Sequence, residues 1–272
     1  MARFLAAILL ATTQTSAILA MMGAVPAWTQ RTIHQSANEA HHRPFPPTEL
    51  ATVTIIEPPD ATLVLGSRQN PTLLNSERAA SQQVAVANRR SGGGLVYLHP
   101  CWQLWIDVEV PRSSPLWHDD VGKAFGWLGE TWAATLSATL DDHHSVSVHH
   151  GRFFPGQNGA LVCFSSLGPG EVLVDGTKVV GISQRRTRDW IRLQSTLNLR
   201  WDPDAIADNL SAEARRHLHP PLLPFQVGPA HEPVDLVDLL SAGEASTGEP
   251  RHDATPLRGT IIQQFLRTLP NP

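Results

Sequence analysis

A glycine-rich segment in the middle of the chain combines residue types suited to holding an anion or an acyl group. Three successive glycines follow two arginines and a serine; the residues of interest are Arg89, Arg90, Gly92, Gly93 and Gly94. Glycine lets the backbone approach a ligand closely and point its amide groups at an anion. No Gly-Lys-Ser/Thr triplet follows, which argues against a P-loop. The segment predicts a ligand-binding turn between two strands, with a merely flexible connection as the alternative.

A second candidate is the strand predicted over residues 178–183, which follows an Asp-Gly hairpin turn. Because side chains alternate between the two faces of a strand, Lys178 and Gly181 are expected on opposite faces. A lysine in line with aliphatic residues either lies at a sheet edge or projects into a pocket. A glycine inside a strand often marks the close approach of a ligand. The strand therefore indicates one wall of a binding site.

Cys163 is the third candidate, since a thiolate is a good nucleophile for acyl chemistry. It lies fifteen residues before Lys178, in a segment (161–165) that is expected to be a strand. The alternative is a small buried residue, which is a common role of free cysteine. Two cysteines, Cys101 and Cys163, do not make a disulfide framework, and this usage fits a reducing compartment.

The surrounding pattern predicts how these residues are positioned. Strands are expected at 51–57, 61–65, 84–87, 95–98, 104–110, 161–165, 171–174, 178–183 and 189–199, and helices at 72–83, 119–140, 204–218 and 256–269. Hairpins mixed with a few helices indicate an α+β fold, in which helices pack on a mixed or antiparallel sheet.

Composition excludes several classes of function. Hydrophobic residues make up 42% and charged residues 17%, which predicts a large core. A net charge of −4 argues against a general nucleic-acid binder. The 13 histidines show no HExxH or comparable spacing, so no transition-metal site is predicted.

Three motifs carry a family resemblance. Residues 89–94 resemble the RRxxGGG-type motif of the lipoate–protein ligase A family, in the biotin/lipoate protein ligase superfamily. Residues 175–184 are similar to that family's G-x-K-x-x-G-x-A-Q strand, and residues 63–69 to its early LGxxQ turn. The motifs occur in family order and at family-like spacing, and the resemblance covers residues 51–199.

The resemblance implies a two-step ligase. Lipoate or octanoate would react with ATP and Mg²⁺ to give an acyl-adenylate. A lysine of a lipoyl carrier domain, in a 2-oxoacid dehydrogenase complex or the glycine cleavage H protein, would then accept the acyl group. Lys178 matches the family lysine at the reacting centre, where its charge would stabilise the transition state. Positions expected to bind the acyl-adenylate are the three glycines, Arg89, Arg90 (favoured for the phosphate), Gly181 and Gln184.

The sequence departs from the family after the glycines. The family usually continues with VxH-(Asp/Glu)-x-x-Asn, whereas His99 is displaced by one residue and has no neighbouring acid. In a strand, such a displacement turns the side chain to the opposite face. Asp107, on the next strand, is the one candidate for a Mg²⁺ ligand.

Two other functions remain open. The Cys163-Phe164 pair and its distance from Lys178 resemble the related octanoyltransferases, in which such a cysteine carries the acyl group as a thioester without ATP. The other is a relative that binds an acyl group or a carrier protein without turnover. Dependence on ATP separates the two enzymes, and any turnover excludes the binder.

The chain is expected to have three parts. Residues 1–27 are expected outside the domain, as a signal-like segment or an over-long start, and polar residues interrupt their apolar run. Residues 28–218 are expected to form the catalytic domain, and 219–272 a proline-rich linker and a C-terminal helix. A cytoplasmic location is expected without membrane association, and the signal-like N-terminus leaves export open.

Overall fold

The computed structural model describes residues 28–47, 49–228, 232–241 and 254–272. In these ranges two β-sheets and their surrounding helices form an α+β architecture, which confirms the fold class predicted from the sequence. The signal-like segment expected over 1–27 lies outside the described residues. No helix within the described ranges is long and apolar enough to cross a bilayer.

The regular elements fall into two sets. The strands are β1 (Thr29–Ile33), β2 (Thr52–Ile56), β3 (Thr62–Leu65), β4 (Ala85–Asn88), β5 (Val96–Leu98), β6 (Gln103–Pro111), β7 (Val146–Val148), β8 (Val172–Val174), β9 (Thr177–Arg186) and β10 (Trp190–Asn198). The α-helices are α1 (Ala37–His42), α2 (Ser76–Ser81), α3 (Gly126–Ser137), α4 (Pro203–Ala207), α5 (Ala212–Arg216), α6 (Leu236–Ser241) and α7 (Thr255–Thr268). Short 3-10 turns occur at Pro71–Leu73 and Cys163–Ser165.

The larger sheet has the strand order β1-β2-β6-β10-β9-β8-β7, and its pairs are antiparallel except β1 with β2. The smaller sheet has the order β4-β3-β5. β-Branched residues are frequent in the central strands, and they favour the extended backbone. The three candidate segments meet beside β9. Ser91, in the loop that joins β4 to β5, donates to Ser183 at 3.1 Å, and Lys178 donates to the carbonyl oxygen of Cys163 at 3.1 Å.

One face of the larger sheet is apolar and is covered by α3 and α7. The rings of Trp132 and Phe265, one from each helix, lie 4.5 Å apart between centroids. Val108 and Leu193 belong to the same buried cluster on the sheet side. Burying a large apolar side chain contributes about 1.5–3 kcal/mol. The C-terminal helix is thus part of the same hydrophobic core as the sheet.

The opposite face carries buried polar and charged side chains, among them Asp107, Glu109, Arg192 and Gln194. Across β6 and β10, Glu109 lies opposite Arg192 and Asp107 opposite Gln194. The segment that contains α1 covers this face. Arg192 donates to the carbonyl oxygens of Arg43 at 3.1 Å and Pro44 at 2.7 Å. Backbone from the N-terminal region therefore seals the polar face.

The predicted helices are present with different bounds. The helix expected over 119–140 spans Gly126–Ser137, because the Asp120 carboxylate accepts from the amide of Gly122 at 2.8 Å and holds a turn before it. The helix expected over 204–218 is divided into α4 and α5, and Ser211 caps the second piece. The segment 72–83 contains a 3-10 turn and then α2. The final helix, expected over 256–269, is α7.

The prediction of a strand over 161–165 is wrong. Cys163–Ser165 forms a 3-10 turn, in which the amide of Ser166 donates to the carbonyl of Cys163 at 3.2 Å. A single bridge joins Val162 to Leu95, so no ladder extends along the segment. The turn places Cys163 at the end of this bridge rather than within a sheet.

Candidate functional site

Close backbone contacts hold the glycine loop against the Cys163 turn. The amide of Cys163 donates to the carbonyl of Leu95 at 2.9 Å. A Cβ added to Gly94 would lie 2.8 Å from the amide nitrogen of Cys163, and one added to Gly66 would lie 1.9 Å from the carbonyl oxygen of Gly93. Real Cβ atoms are not tolerated at these distances, so glycine is required at both positions. The loop thereby fixes the backbone of Cys163.

Arg89 stabilises the glycine loop through hydrogen bonds to its backbone. Its buried guanidinium donates to the carbonyl oxygens of Gly92 at 2.9 Å and Gly94 at 2.8 Å. In the described part of the chain, the amide groups of the three glycines donate to no protein acceptor. Free amide groups of this kind bind anions or stabilise an oxyanion. Arg90, which the sequence favoured for a phosphate, is exposed beside the loop and forms no ion pair among the described residues.

A cavity of about 40 Å³ lies on the polar face of the larger sheet. Cys163 and Gly181 contribute to its wall, whose apolar side chains are Val64, Val96, Leu98, Trp105 and Phe164, and whose polar ones are His41, Arg89, Ser183, Gln194 and Thr196. A mainly apolar wall with a few polar groups is typical of a small-molecule site. By the same measure of volume, a cavity that holds a single water has about 10–15 Å³. A medium-length acyl chain therefore enters only if some lining side chains move.

Lys178 does not line this cavity. Its ammonium lies 2.7 Å from Glu171 Oε2 and donates to the carbonyl oxygens of Cys163 at 3.1 Å and Ser166 at 2.9 Å. The ammonium also lies 5.1 Å from the centroid of the Phe164 ring. These three acceptors use all three of its hydrogens. The expectation that Lys178 and the glycine loop face one cavity is corrected. Neither the lysine nor the three glycines line this cavity, and Lys178 instead binds the backbone of the Cys163 turn.

Gly181 lies on the same side of β9 as Lys178, which strict alternation does not predict. The register of β8 with β9 shifts beside Lys178, where one extra residue of β9 forms a bulge. A Cβ on Gly181 would lie 3.4 Å from the Phe164 ring. The bulge reverses the alternation, so the expectation of opposite faces is corrected. The small residue leaves room for Phe164 in the cavity wall.

Gln184 points to the other side of the sheet. It lies opposite Leu193 of the apolar cluster, whereas its neighbour Ser183 lies opposite Gln194 and lines the cavity with it. Both polar atoms of the Gln184 side chain lack a partner among the described residues. The structure thus does not bring Gln184 together with Cys163 and the glycine loop.

Asp107 is already fully engaged and does not fit the role of a Mg²⁺ ligand. Its Oδ1 accepts from Trp105 Nε1 at 2.6 Å, and its Oδ2 lies 2.7 Å from Arg43 Nη1 and 3.2 Å from Gln194 Nε2. Among the described residues, no group of three His, Cys, Asp or Glu side chains is arranged to hold a metal ion. The expectation for Asp107 is corrected, because its carboxylate is the counterion of a buried arginine.

His41 is a cavity residue that the sequence motifs did not indicate. It lies on α1, which begins with a capping box between Ser36 and Glu39. That Ser-x-x-Glu spacing is the sequence feature that predicts such a helix. Its ring packs on Trp105 with 4.4 Å between centroids. Burial lowers the pKa of His41 to about 3, and the positive charge of Arg89 acts in the same direction.

One family model matches most of the chain. Residues 32–222 match the family described as Lipoyl protein ligase A/B catalytic domain. The match contains the glycine loop, the Cys163 turn and β9. No curated protein sequence matches the chain.

Several solved structures share the fold at low sequence identity. A bi-partite lipoate protein ligase of Thermoplasma acidophilum, described with its E2 lipoyl domain, is 14% identical, with a TM-score of 0.57 and coverage of 89% of this chain and 84% of that one. A lipoate-protein ligase A bound with ATP is 15% identical, with a TM-score of 0.56 and coverage of 89% and 85%. P. falciparum LipL1 in complex with lipoate is 11% identical, with a TM-score of 0.50 and coverage of 90% and 64%. These likenesses show a common fold.

Proposed function

Because the chain belongs to the lipoyl protein ligase A/B catalytic-domain family, we propose that it transfers a medium-length acyl group, such as octanoyl or lipoyl, to a lysine of a lipoyl carrier domain. The observation that carries the proposal is the position of Cys163. Its thiol is on the wall of the mainly apolar cavity, and its Sγ lies 3.5 Å from a Cβ position on Gly93. Of the two enzyme routes that the sequence left open, this position favours the thioester route.

In the thioester route, the Cys163 thiolate attacks the carbonyl carbon of an acyl thioester donor. The bond between that carbon and the donor sulfur breaks, and the donor leaves as a thiol after taking up a proton. The ε-amine of the carrier lysine then attacks the Cys163 thioester. An amide forms, and the thiol of Cys163 is regenerated. The free amide groups of the glycine loop would stabilise the oxyanion of both steps.

Lys178 acts in this proposal as a positioning residue. Its ammonium binds the carbonyl oxygens of Cys163 and Ser166, and Glu171 neutralises its charge. The side chain is 1% exposed, so a donor or a carrier lysine would not reach it without a rearrangement. Its contribution is to fix the turn that presents Cys163 to the cavity.

The ATP-dependent ligase remains the second candidate because of unused arginine donors beside the glycine loop. Burial, and then the charge of Arg90, lower the pKa of Arg185, whose Nη1 has no partner among the described residues. Arg68 Nη2 lies 3.9 Å from a Cβ position on Gly92. Arginines beside free amide groups suit the phosphate of an acyl-adenylate. The Mg²⁺ that accompanies ATP would then need ligands other than Asp107.

The proposed partners are lipoyl domains of 2-oxoacid dehydrogenase complexes or the glycine cleavage H protein, and the proposed location is the cytoplasm. The description of the Thermoplasma acidophilum ligase with its E2 lipoyl domain supports the first partner. Residues 28–218 are proposed as the catalytic domain. Residues 219–272 are proposed as an extension, and its helix α7 packs on α3.

The test is acyl transfer to a lipoyl domain from two separate donors, an octanoyl carrier-protein thioester and octanoate with ATP. The thioester route predicts transfer without ATP, a loss of at least about 1,000-fold in Cys163→Ala and little change in Cys101→Ala. Transfer that requires ATP and survives Cys163→Ala would assign the ligase instead. Transfer from neither donor would leave a protein that only binds the acyl group or the carrier.

A further inference from the structure

His41 carries a buried hydrogen-bond donor in the wall of the cavity, and the chemistry above does not use it. Its ring lines the cavity and the residue is 6% exposed. Its Nε2 is buried and has no hydrogen-bond partner among the described residues. Buried polar groups are normally satisfied, and each exception calls for an explanation. A ligand in the cavity would supply the missing partner.

Gln194 determines which nitrogen of His41 carries the proton. The amide nitrogen of Gln194 lies 3.2 Å from Asp107 Oδ2 and 3.3 Å from His41 Nδ1. An amide nitrogen only donates, and the Asp107 carboxylate, held by Arg43 at 2.7 Å, only accepts. His41 Nδ1 must therefore be the acceptor. In a neutral imidazole the proton then lies on Nε2.

The surroundings keep this ring fixed and neutral. Trp105 packs on one side of the ring, and its indole nitrogen donates to the same Asp107 carboxylate at 2.6 Å. The positive charge of Arg89 disfavours an imidazolium at this position. The carbonyl oxygens of Arg43 and Pro44, which follow α1, are bound by Arg192. The donor is thus preorganised, which lowers the cost of binding.

We propose that His41 donates a hydrogen bond from Nε2 to an oxygen acceptor of the acyl substrate, its carbonyl or carboxyl oxygen, and is therefore a substrate-binding residue. An acceptor satisfies the N–H group, whereas an alkyl ammonium would leave it unpaired and would face the charge of Arg89. The identity of the ligand as an acyl compound rests on the proposed function. The presence of an acceptor-binding site rests on the ring and its contacts alone.

The test uses octanoate as the probe and the full chain as the protein. Calorimetric titration is carried out on wild type, His41→Phe and His42→Phe. Phenylalanine keeps a ring and removes the donor, and exposed His42, next on the same helix, is the matched control. We expect binding to weaken about 10-fold or more in His41→Phe and to stay unchanged in His42→Phe. In wild type, the ¹⁵N and ¹H signals of the His41 Nε2–H group should shift when octanoate is added.

The outcomes separate this inference from the proposed function. Octanoate binding within about two-fold of wild type in a folded His41→Phe protein, together with an unmoved Nε2–H signal, overturns the inference. Failure of wild type to bind octanoate overturns it as well. If octanoate binds and shifts the Nε2–H signal but the protein transfers no acyl group, the inference about His41 is supported and the proposed function is removed. Acyl transfer by a protein whose His41 signal does not move supports the proposed function and removes the inference about His41.

Discussion

The two faces of the larger sheet are both buried, and they are built by opposite means. The face under α3 and α7 is filled by apolar side chains such as Trp132 and Phe265, which pack without polar partners on their rings. The other face holds Asp107, Glu109 and Arg192, which are 0% exposed, and Arg43 pairs with both carboxylates as the second cation. Hydrophobic burial is non-directional, whereas a buried charge needs a partner in good geometry. The ordered, charged face is the one that carries the cavity.

Glu109→Gln should produce the largest loss of stability on the charged face. Glu109 Oε1 accepts from Arg192 Nε at 2.7 Å, and Oε2 lies 3.1 Å from Arg31 Nη2. Removing the negative charge leaves Arg192 buried without its main counterion, which typically costs about 3–5 kcal/mol. Urea denaturation measures the change.

The control for Glu109→Gln is Glu130→Gln on the surface. Glu130 lies 3.1 Å from His150, and both side chains are mostly exposed. Such pairs contribute about 0–1 kcal/mol, so this variant should unfold like wild type. Equal effects of the two substitutions would show that the charged face is hydrated and that the contrast between the faces is wrong.

Breaking the Lys178–Glu171 pair should cost less stability than Glu109→Gln, and a second substitution should restore part of the loss. Lys178→Met leaves the Glu171 carboxylate buried, at a cost of about 3 kcal/mol, the lower end for a broken buried pair. The amide groups of Gly168 and Ile182 still donate to Glu171, which limits the loss. Adding Glu171→Gln removes the unpaired charge, so the double variant should recover more than half of the lost stability. A double variant no more stable than Lys178→Met would contradict the claim that the unpaired Glu171 carboxylate causes the loss.

The effect of a change of one pH unit should be the smallest of the three. The pKa of His41 is about 3 in the folded protein and 6.5 in an ordinary histidine, because burial and then Arg89 disfavour the charged form, with His42 and Arg43 adding to the effect. Between these values the unfolded chain binds a proton that the folded protein does not. Stability should therefore rise with pH across this window, by at most about 1.4 kcal/mol per pH unit from this residue.

Comparison with variants isolates the contribution of His41 from that of the carboxylates that titrate in the same range. The free energy of unfolding is measured between pH 4 and pH 6, a window of roughly two units inside that of the shift. The slope should decrease in His41→Phe and remain in His143→Phe, because His143 is exposed and is not among the groups that shift the pKa of His41. An unchanged slope in His41→Phe would mean that the ring is solvated and the cavity open.

The sequence predicted the apolar face better than the charged one, for a physical reason. Hydrophobic periodicity records burial directly, so eight of the ten strands, α7 and the core of α3 were predicted near their observed positions, whereas β1 and β7 were not predicted. The motifs also predicted that the glycine loop and Cys163 lie close to β9. The bulge in β9 does not appear in any alternation pattern, so the relative faces of Lys178 and Gly181 were predicted wrongly.

The other differences between prediction and structure arise from contacts between segments that are far apart in the sequence. The role of Asp107 depends on Arg43 and Gln194, and His41 becomes a cavity residue only when α1 packs over β10. No local pattern encodes these contacts. Residues that line the site from outside the motifs are thus the ones that only the structure identifies.

The most direct test of the thioester route is a search for an acyl group on Cys163. The protein is incubated with an octanoyl thioester in the absence of ATP, and its intact mass is measured before and after treatment with hydroxylamine. The thioester route predicts one octanoyl adduct on wild type and on Cys101→Ala, and hydroxylamine should remove it. Cys163→Ala should carry no adduct. No adduct on wild type, with transfer to a lipoyl domain from octanoate and ATP, would contradict the thioester route.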